Sequence, residues 1–374
     1  MSSSIPKTSS LTIALLLLFL IISPAAQAAG PNLTKKISAS DSGISYTGRT
    51  LAEGDRVSFD WVGTYLQTDF TGGSIAVDIS DTGNNYFNIF IDEKLTRKIQ
   101  VNSPTATRII LAQGLSSGFH RLKLQRCTEG SQGRTTIHGI YLTKNGRLAP
   151  VAPRKRLIEF IGDSYTCGYG TEAGSNERFK PETENCNQAY ACMVARYFNA
   201  DYVLIAHSGR GMSRNYGDSL MISPNNMVER YLRLFDEAPA PAYSFKAYRP
   251  DLVTINLGTN DYSTGKGPKP ETFAAQYLKM IEQVRSHYGE VPILCIIAHS
   301  AGKPLKTSMA EVSRRVSGMK NVYVATEMPG IVSHATDMGA DWHPNYQGQR
   351  KIAMTLIPRI SQIMGWQLEN KVVE

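Results

Sequence analysis

The chain has 374 residues, 42% of them hydrophobic and 19% charged, with a formal net charge of +8. That is room for two domains with sizeable cores, and it excludes a disordered or low-complexity chain. Basic residues are scattered, with only short clusters such as Arg154-Lys155-Arg156 and Arg314-Arg315, a pattern that argues against a nucleic-acid partner.

Residues 1–29 read as an export signal. Lys7 gives the positive start, Leu11 to Ile22 the apolar stretch, and Ala26-Gln27-Ala28 the small residues a signal peptidase needs. The apolar run is shorter than the roughly 18–20 residues that span a bilayer. The mature chain is therefore expected to be exported, periplasmic or extracellular, and free of the membrane. Without Lys7 it keeps 39 basic to 32 acidic residues, a balance compatible with weak attraction to acidic polysaccharide.

From 30 to 150 the texture is that of short strands. Val57–Trp61, Ser74–Ile79, Tyr86–Asp92, Arg108–Leu111, His120–Leu124 and Thr136–Leu142 alternate with period two and are separated by Gly, Asn and Asp. Such spacing predicts a β-sandwich. Ala149 to Arg154, with two prolines, reads as the seam to a second domain over 151–374.

Beyond the seam the strands become continuous apolar runs: Leu157–Ile161, Tyr202–Ala206, Leu252–Leu257, Ile293–Ile297 and Asn321–Ala325. Helical patterns fall between and after them, at Tyr190–Tyr197, Met227–Leu234, Thr272–His287 and Gly348–Ile363. This predicts an α/β fold whose parallel sheet is covered on both faces, with ligands expected at the carboxyl ends of its strands.

The chemically suggestive clusters fall at those ends. Gly162-Asp163-Ser164-Tyr165 follows the first strand, where Ser164 can be a nucleophile or simply cap a turn. Ser208-Gly209-Arg210-Gly211-Met212 follows the second, and its glycines allow a backbone N–H to approach an oxyanion. Asn256-Leu257-Gly258-Thr259-Asn260-Asp261 follows the third, and the Asn260 amide can donate to the same oxygen. Asp341-Trp342-His343-Pro344-Asn345 precedes the last helix; His343 can take the serine proton while Asp341 fixes its tautomer.

The order and placement of these four segments resemble the SGNH hydrolases. The resemblance implies a flavodoxin-like catalytic domain, Ser164 as nucleophile and first oxyanion donor, Asn260 and a loop glycine as further donors, and His343 as base. Gly211 fits the family spacing slightly better than Gly209. SGNH enzymes commonly place the acid three residues before the histidine, where Ala340 stands. Asp341 with Trp342 between resembles carbohydrate esterase family 2, which joins a jelly-roll-like β-sandwich to the SGNH domain. Tyr46-Thr47-Gly48-Arg49, Asn85–Asp92 and Cys167-Gly168-Tyr169-Gly170 carry the likeness across nearly all of the mature chain.

That family implies removal of acetyl groups from plant cell-wall carbohydrate such as xylan or mannan, leaning to 6-position esters, with no metal or cofactor. A Ser–His dyad oriented by a carbonyl stays open beside the triad, and Trp342 is expected either to face a sugar or to pack beside His343. Two rival readings stand: a lipase-like or thioesterase SGNH enzyme, and a carbohydrate-binding protein with an inert hydrolase half.

Other residues are given structural roles. Asp163 is expected to hold its turn and Asp261 to bond backbone, His207 to line the site or pack, and His299 and His334 to have no partner motif. Five cysteines in an exported chain permit a Cys167–Cys186 bridge, while Cys295 is expected to be a buried thiol.

Overall fold

A computed structural model describes residues 31–374 except 326 and 329. The expected export signal lies outside the described residues. Asn32–Glu374 forms one compact unit.

The first layers are antiparallel. Strands β1 (Leu33–Ile37), β3 (Leu51–Glu53), β4 (Arg56–Phe59), β6 (Ile75–Asp81), β9 (Thr107–Ala112) and β11 (Thr135–Thr143) make one sheet, ordered β3-β4-β11-β6-β9 with β1 also on β11. Strands β2 (Ser45–Thr47), β5 (Tyr65–Phe70), β7 (Asn85–Ile91), β8 (Lys94–Val101), β10 (His120–Arg126) and β12 (Leu148–Ala149) make the other, ordered β12-β5-β10-β7-β8 with β2 on β5. Alternate side chains such as Val57, Phe59, Val77 and Ile79 meet Leu66, Phe87, Ile89 and Leu124 in a shared apolar core. The sandwich follows from the period-two pattern, because each strand has one apolar face to bury.

The second half contains a parallel sheet of β13 (Leu157–Gly162), β14 (Asp201–Ala206), β17 (Leu252–Asn256), β18 (Ile293–Cys295) and β19 (Val322–Val324), ordered β14-β13-β17-β18-β19. This is the flavodoxin-like order, which reverses direction between β13 and β17. Ile158 and Phe160 face helices α2 (Tyr190–Tyr197) and α6 (Tyr346–Met364), while Ile161 joins the core beneath α4 (Pro270–Tyr288) and α5 (Lys303–Val316). Burial on both faces explains why these strands read as unbroken apolar runs.

Register then sets the site. Gly162 pairs with Ala206 on one side and Asn256 on the other, so three strands end level. Whatever follows each of them shares one edge of the sheet.

Two expectations are corrected. Met227–Leu234 is not one helix: a single turn, α3 (Met227–Arg230), gives way to a hairpin of β15 (Arg233–Phe235) and β16 (Ala238–Ala242). The Cys167–Cys186 bridge is not formed, and all five cysteines are buried free thiols, Cys295 among them. Cys167 instead donates to Glu129 at 3.3 Å, and Cys186 to the Arg126 carbonyl at 3.3 Å.

Candidate active site

Ser164 opens the four-residue helix α1 (Ser164–Cys167), directly off the end of β13. The turn is tight enough that a Cβ on Gly162 would come within 2.0 Å of Thr166 Oγ1, so only glycine fits. Asp163 caps the helix by accepting from the Tyr165 N–H at 3.1 Å. Its burial pushes the carboxyl up to about 7.

His343 reaches the serine from the segment before α6. Its Nε2 lies 2.8 Å from Ser164 Oγ, and its Nδ1 lies 3.1 Å from the Asp341 carbonyl oxygen. A carbonyl can only accept, so Nδ1 carries the proton and Nε2 is left to take one from the serine. Tyr169 packs on the imidazole with ring centres 4.2 Å apart, and Phe179 stacks on Tyr169 at 3.9 Å. Burial lowers the His343 pKa below the ordinary 6.5, although hydrogen bonds with Asp341 and Ala340 oppose it. Only neutral His343 can act as base. The acid limb of kcat/KM against pH is therefore expected below pH 6.5; a limb at or above that value would contradict it.

The Asp341 carboxylate does not do what its sequence position suggested. It is engaged by Arg178 at 2.9 Å, the Phe179 N–H at 3.0 Å and the Tyr169 hydroxyl at 3.2 Å, and these donors, the Phe179 N–H foremost, hold it below the usual carboxylate range. The cause is backbone conformation. Asp341 and Trp342 both adopt positive φ, 46° and 65°, which turns the Asp341 carbonyl rather than its side chain toward His343. Two consecutive residues in this costly region mark a segment held for a purpose. Asp341→Asn, which keeps a side chain tolerant of that conformation, is expected to lower kcat less than about tenfold. Loss of an acid that contacts the base would approach 10⁴. Steady-state kinetics on p-nitrophenyl acetate distinguish the two.

The glycine loop departs from expectation too. Gly211 is buried, its N–H is taken by Asn215 Oδ1 at 3.2 Å, and a Cβ there would meet the Arg214 carbonyl at 2.0 Å. It has no amide to offer a ligand. Gly209, at φ 75°, is partly exposed, and its N–H has no acceptor among the described residues. Asn260 begins the turn after β17 and directs its amide to the Arg210 carbonyl at 2.9 Å and toward Asp163 at 3.3 Å. Both hydrogens of this amide are engaged, so Asn260 can serve an oxyanion only by sharing the longer contact. Asp261 receives three backbone N–H groups, from Met212, Ser213 and Arg214, at 2.7–2.9 Å. It is a clamp on the loop, and burial still raises its pKa to about 6.

The remaining candidates separate. His207 is buried against Asp236 at 2.7 Å and is structural. His299 packs on Tyr165 with ring centres 4.9 Å apart, and burial lowers its pKa to about 4. His334 has its ring centre 6.1 Å from that of Trp342. Trp342 is 75% exposed beside His343, so it does not serve core packing. Tyr216, unremarked in the sequence, is 66% exposed, and its Cβ lies 3.8 Å from where a Gly209 Cβ would stand. Exposed Leu220, Met221 and Ile222 continue from it. A ring close behind a glycine loop was the only sequence signal for Tyr216. In all, Ser164 and His343 meet directly, and Gly209 and Asn260 lie on the segments that leave the neighbouring strands at the same sheet edge.

Comparison with known proteins relates both halves of the chain to described families. Residues 46–152 match the carbohydrate esterase 2 N-terminal model, and residues 160–351 match the GDSL-like lipase/acylhydrolase family. The chain is 34% identical over 333 residues to the cellulase/esterase CelE of Acetivibrio thermocellus, aligning 87% of this chain with 40% of that protein. It thus spans about two fifths of CelE's length. It is 27% identical over 359 residues to an acetylxylan esterase / glucomannan deacetylase of Cellvibrio japonicus, covering 90% of this chain and 97% of that one. Among solved structures, a family two carbohydrate esterase from Clostridium thermocellum in complex with cellohexaose superposes with a TM-score of 0.80 at 32% identity, covering 87% of this chain and all of the other.

Proposed function

Because the chain belongs to carbohydrate esterase family 2, a family of carboxylic ester hydrolases, we propose that it removes O-acetyl groups from plant cell-wall polysaccharide, outside the cytoplasm, by a Ser164–His343 dyad. The observation that carries this reading is the 2.8 Å contact between His343 Nε2 and Ser164 Oγ, with Nδ1 committed to a carbonyl. His343 takes the Ser164 proton as Oγ bonds to the acetyl carbon. The resulting oxyanion accepts from the Ser164 N–H, the Gly209 N–H and the Asn260 amide. The C–O bond to the sugar then breaks, and Nε2–H protonates the leaving oxygen. Water repeats the sequence in reverse, releasing acetate and restoring Ser164. The Asp341 carbonyl dipole steadies the imidazolium that forms twice on this path.

The substrate class is supported by what the relatives are named for, xylan and glucomannan deacetylation, and by the two exposed rings of Trp342 and Tyr216, which offer flat faces to sugars. Export is supported by the leader-like residues 1–29. The apolar edge at Leu220, Met221 and Ile222 favours one rival, an esterase of longer acyl chains. Acetate release from acetylated xylan, glucomannan and pectin, beside hydrolysis of p-nitrophenyl acetate and octanoate, separates them. Polymer deacetylation with acetate preferred over octanoate supports the proposal; octanoate preference without polymer turnover rejects it.

A further inference from the structure

The glycine loop is fixed at both ends by buried carboxylates, and only one of these belongs to the hydrolase half. Asp261 holds the exit through Met212, Ser213 and Arg214. The entry is held by Glu129, which lies in the turn between β10 and β11 of the sandwich, 79 residues away in sequence. Its Oε2 accepts the Ser208 N–H at 2.6 Å, the amide immediately before Gly209. The same oxygen accepts the Cys167 thiol at 3.3 Å, at the far end of the single helical turn that Ser164 opens.

The carboxylate is itself immobilised. Oε1 accepts the Ser131 hydroxyl at 2.9 Å, the Glu129 N–H donates to Glu184 at 3.2 Å, and the Glu129 carbonyl accepts from the buried Arg126 guanidinium at 2.9 Å. Glu129 is 4% exposed. Nearby, Lys98 on β8 grips Glu172 and the carbonyls of Glu182 and Glu184, and Asn88 on β7 bonds Asn185, so the sandwich also braces the segment behind α1.

We propose that Glu129 is a positioning residue of the hydrolytic reaction: one sandwich carboxylate ties the nucleophile's helix to the oxyanion loop and so sets the spacing between Ser164 and the Gly209 N–H. The inference rests on the dyad reading above. It makes the sandwich part of the catalytic apparatus, whatever it does with polysaccharide. The chemistry demands such a tie because a donor displaced by about 1 Å can lose about 10² in rate. Gly209 has no side chain with which to anchor itself, and among the described residues no hydrolase side chain holds the Ser208 N–H.

The test uses the full chain and p-nitrophenyl acetate, a substrate too small to need the sugar-facing surface. Glu129→Ala is expected to lower kcat about 10²-fold with KM changed less than about threefold. Glu129→Gln presents an amide oxygen to Ser208 and its NH₂ to Ser131, and is expected to recover kcat to within about fivefold of wild type. A folded Ala variant with wild-type kcat overturns the proposal, as does a Gln variant as slow as Ala. Should the Ala variant not fold, Glu129→Asp is read instead, since it is one methylene too short to keep the 2.6 Å contact. Slowed kcat then supports the proposal, and wild-type kcat overturns it. Failure of the dyad reading would be seen separately, as full activity of Ser164→Ala.

Discussion

Ser164→Ala is expected to lower kcat by on the order of 10⁴–10⁵ on both p-nitrophenyl acetate and acetylated polymer, while binding of the polymer stays as it was. Removing the nucleophile of a Ser–His–Asp enzyme costs about 10⁶. Here the starting rate should be lower, because a carbonyl dipole rather than a carboxylate stabilises the imidazolium, and the fall is correspondingly smaller. A 10⁵ loss is about 7 kcal/mol of barrier, far beyond anything packing at this position can supply. Alanine removes a single oxygen from a nearly buried site and leaves His343 Nε2 without its partner, worth about 1 kcal/mol of stability. Trp342 and Tyr216 are untouched, so calorimetric affinity for polysaccharide should hold. Activity above about a tenth of wild type would mean that another group attacks the ester, and the dyad would have to be abandoned.

Much of this site was legible because parallel strands advertise themselves twice. Being buried on both faces they are unbroken apolar runs, and the residues leaving them are forced to be small or polar, as at Gly162, Gly209 and Asn260. Order along the chain then distinguishes a constellation from four unrelated loops. What sequence spacing does not encode is which way a backbone turns. Asp341 was placed correctly beside His343, but two positive-φ residues present its carbonyl instead of its carboxylate. Gly211 matched a family spacing, yet its amide had already been claimed by Asn215. Glu129 gave no local signal, since its partner lies in another layer. The helix expected over Met227–Leu234 ends early for a similar reason: the Tyr231 and Arg233 carbonyls are taken by a side chain from the sandwich rather than by the next helical turn. By contrast α5 left a stripe, Leu305, Met309, Val312 and Val316, that helical periodicity should have caught.

That sandwich side chain is Arg49, and Arg49→Ala is expected to destabilise the protein by about 3–5 kcal/mol. Arg49 is fully buried, and its Nη1 donates to the Tyr231 and Arg233 carbonyls at 2.6 Å each. The guanidinium is surrounded by the rings of Trp61, Tyr231, Tyr243 and Phe245, with centres 4.3–5.6 Å away. On the same side the buried Glu159 carboxylate is held by the hydroxyls of Tyr231, Tyr248 and Tyr288. Alanine would leave two carbonyls unpaired, a void among four rings, and Glu159 without its nearby cation. Lysine would restore it only in part: its ammonium could donate to both carbonyls, as Nη1 alone does, but it has no planar face to fill the space among the four rings. In thermal unfolding the loss should appear as a fall in Tm of about 5–10 °C; a change under about 2 °C would show that the cage is energetically idle. The hairpin it anchors carries Asp236, which holds His207 just before the glycine loop. Arg49→Ala should therefore lose activity on heating well before the wild type, yet keep most of its kcat at 25 °C. Glu129→Ala should do the opposite, losing kcat with the fold intact. If the two variants behaved alike, the sandwich would be acting on the site only through overall stability, and the separate assignment of Glu129 to the oxyanion loop would fall.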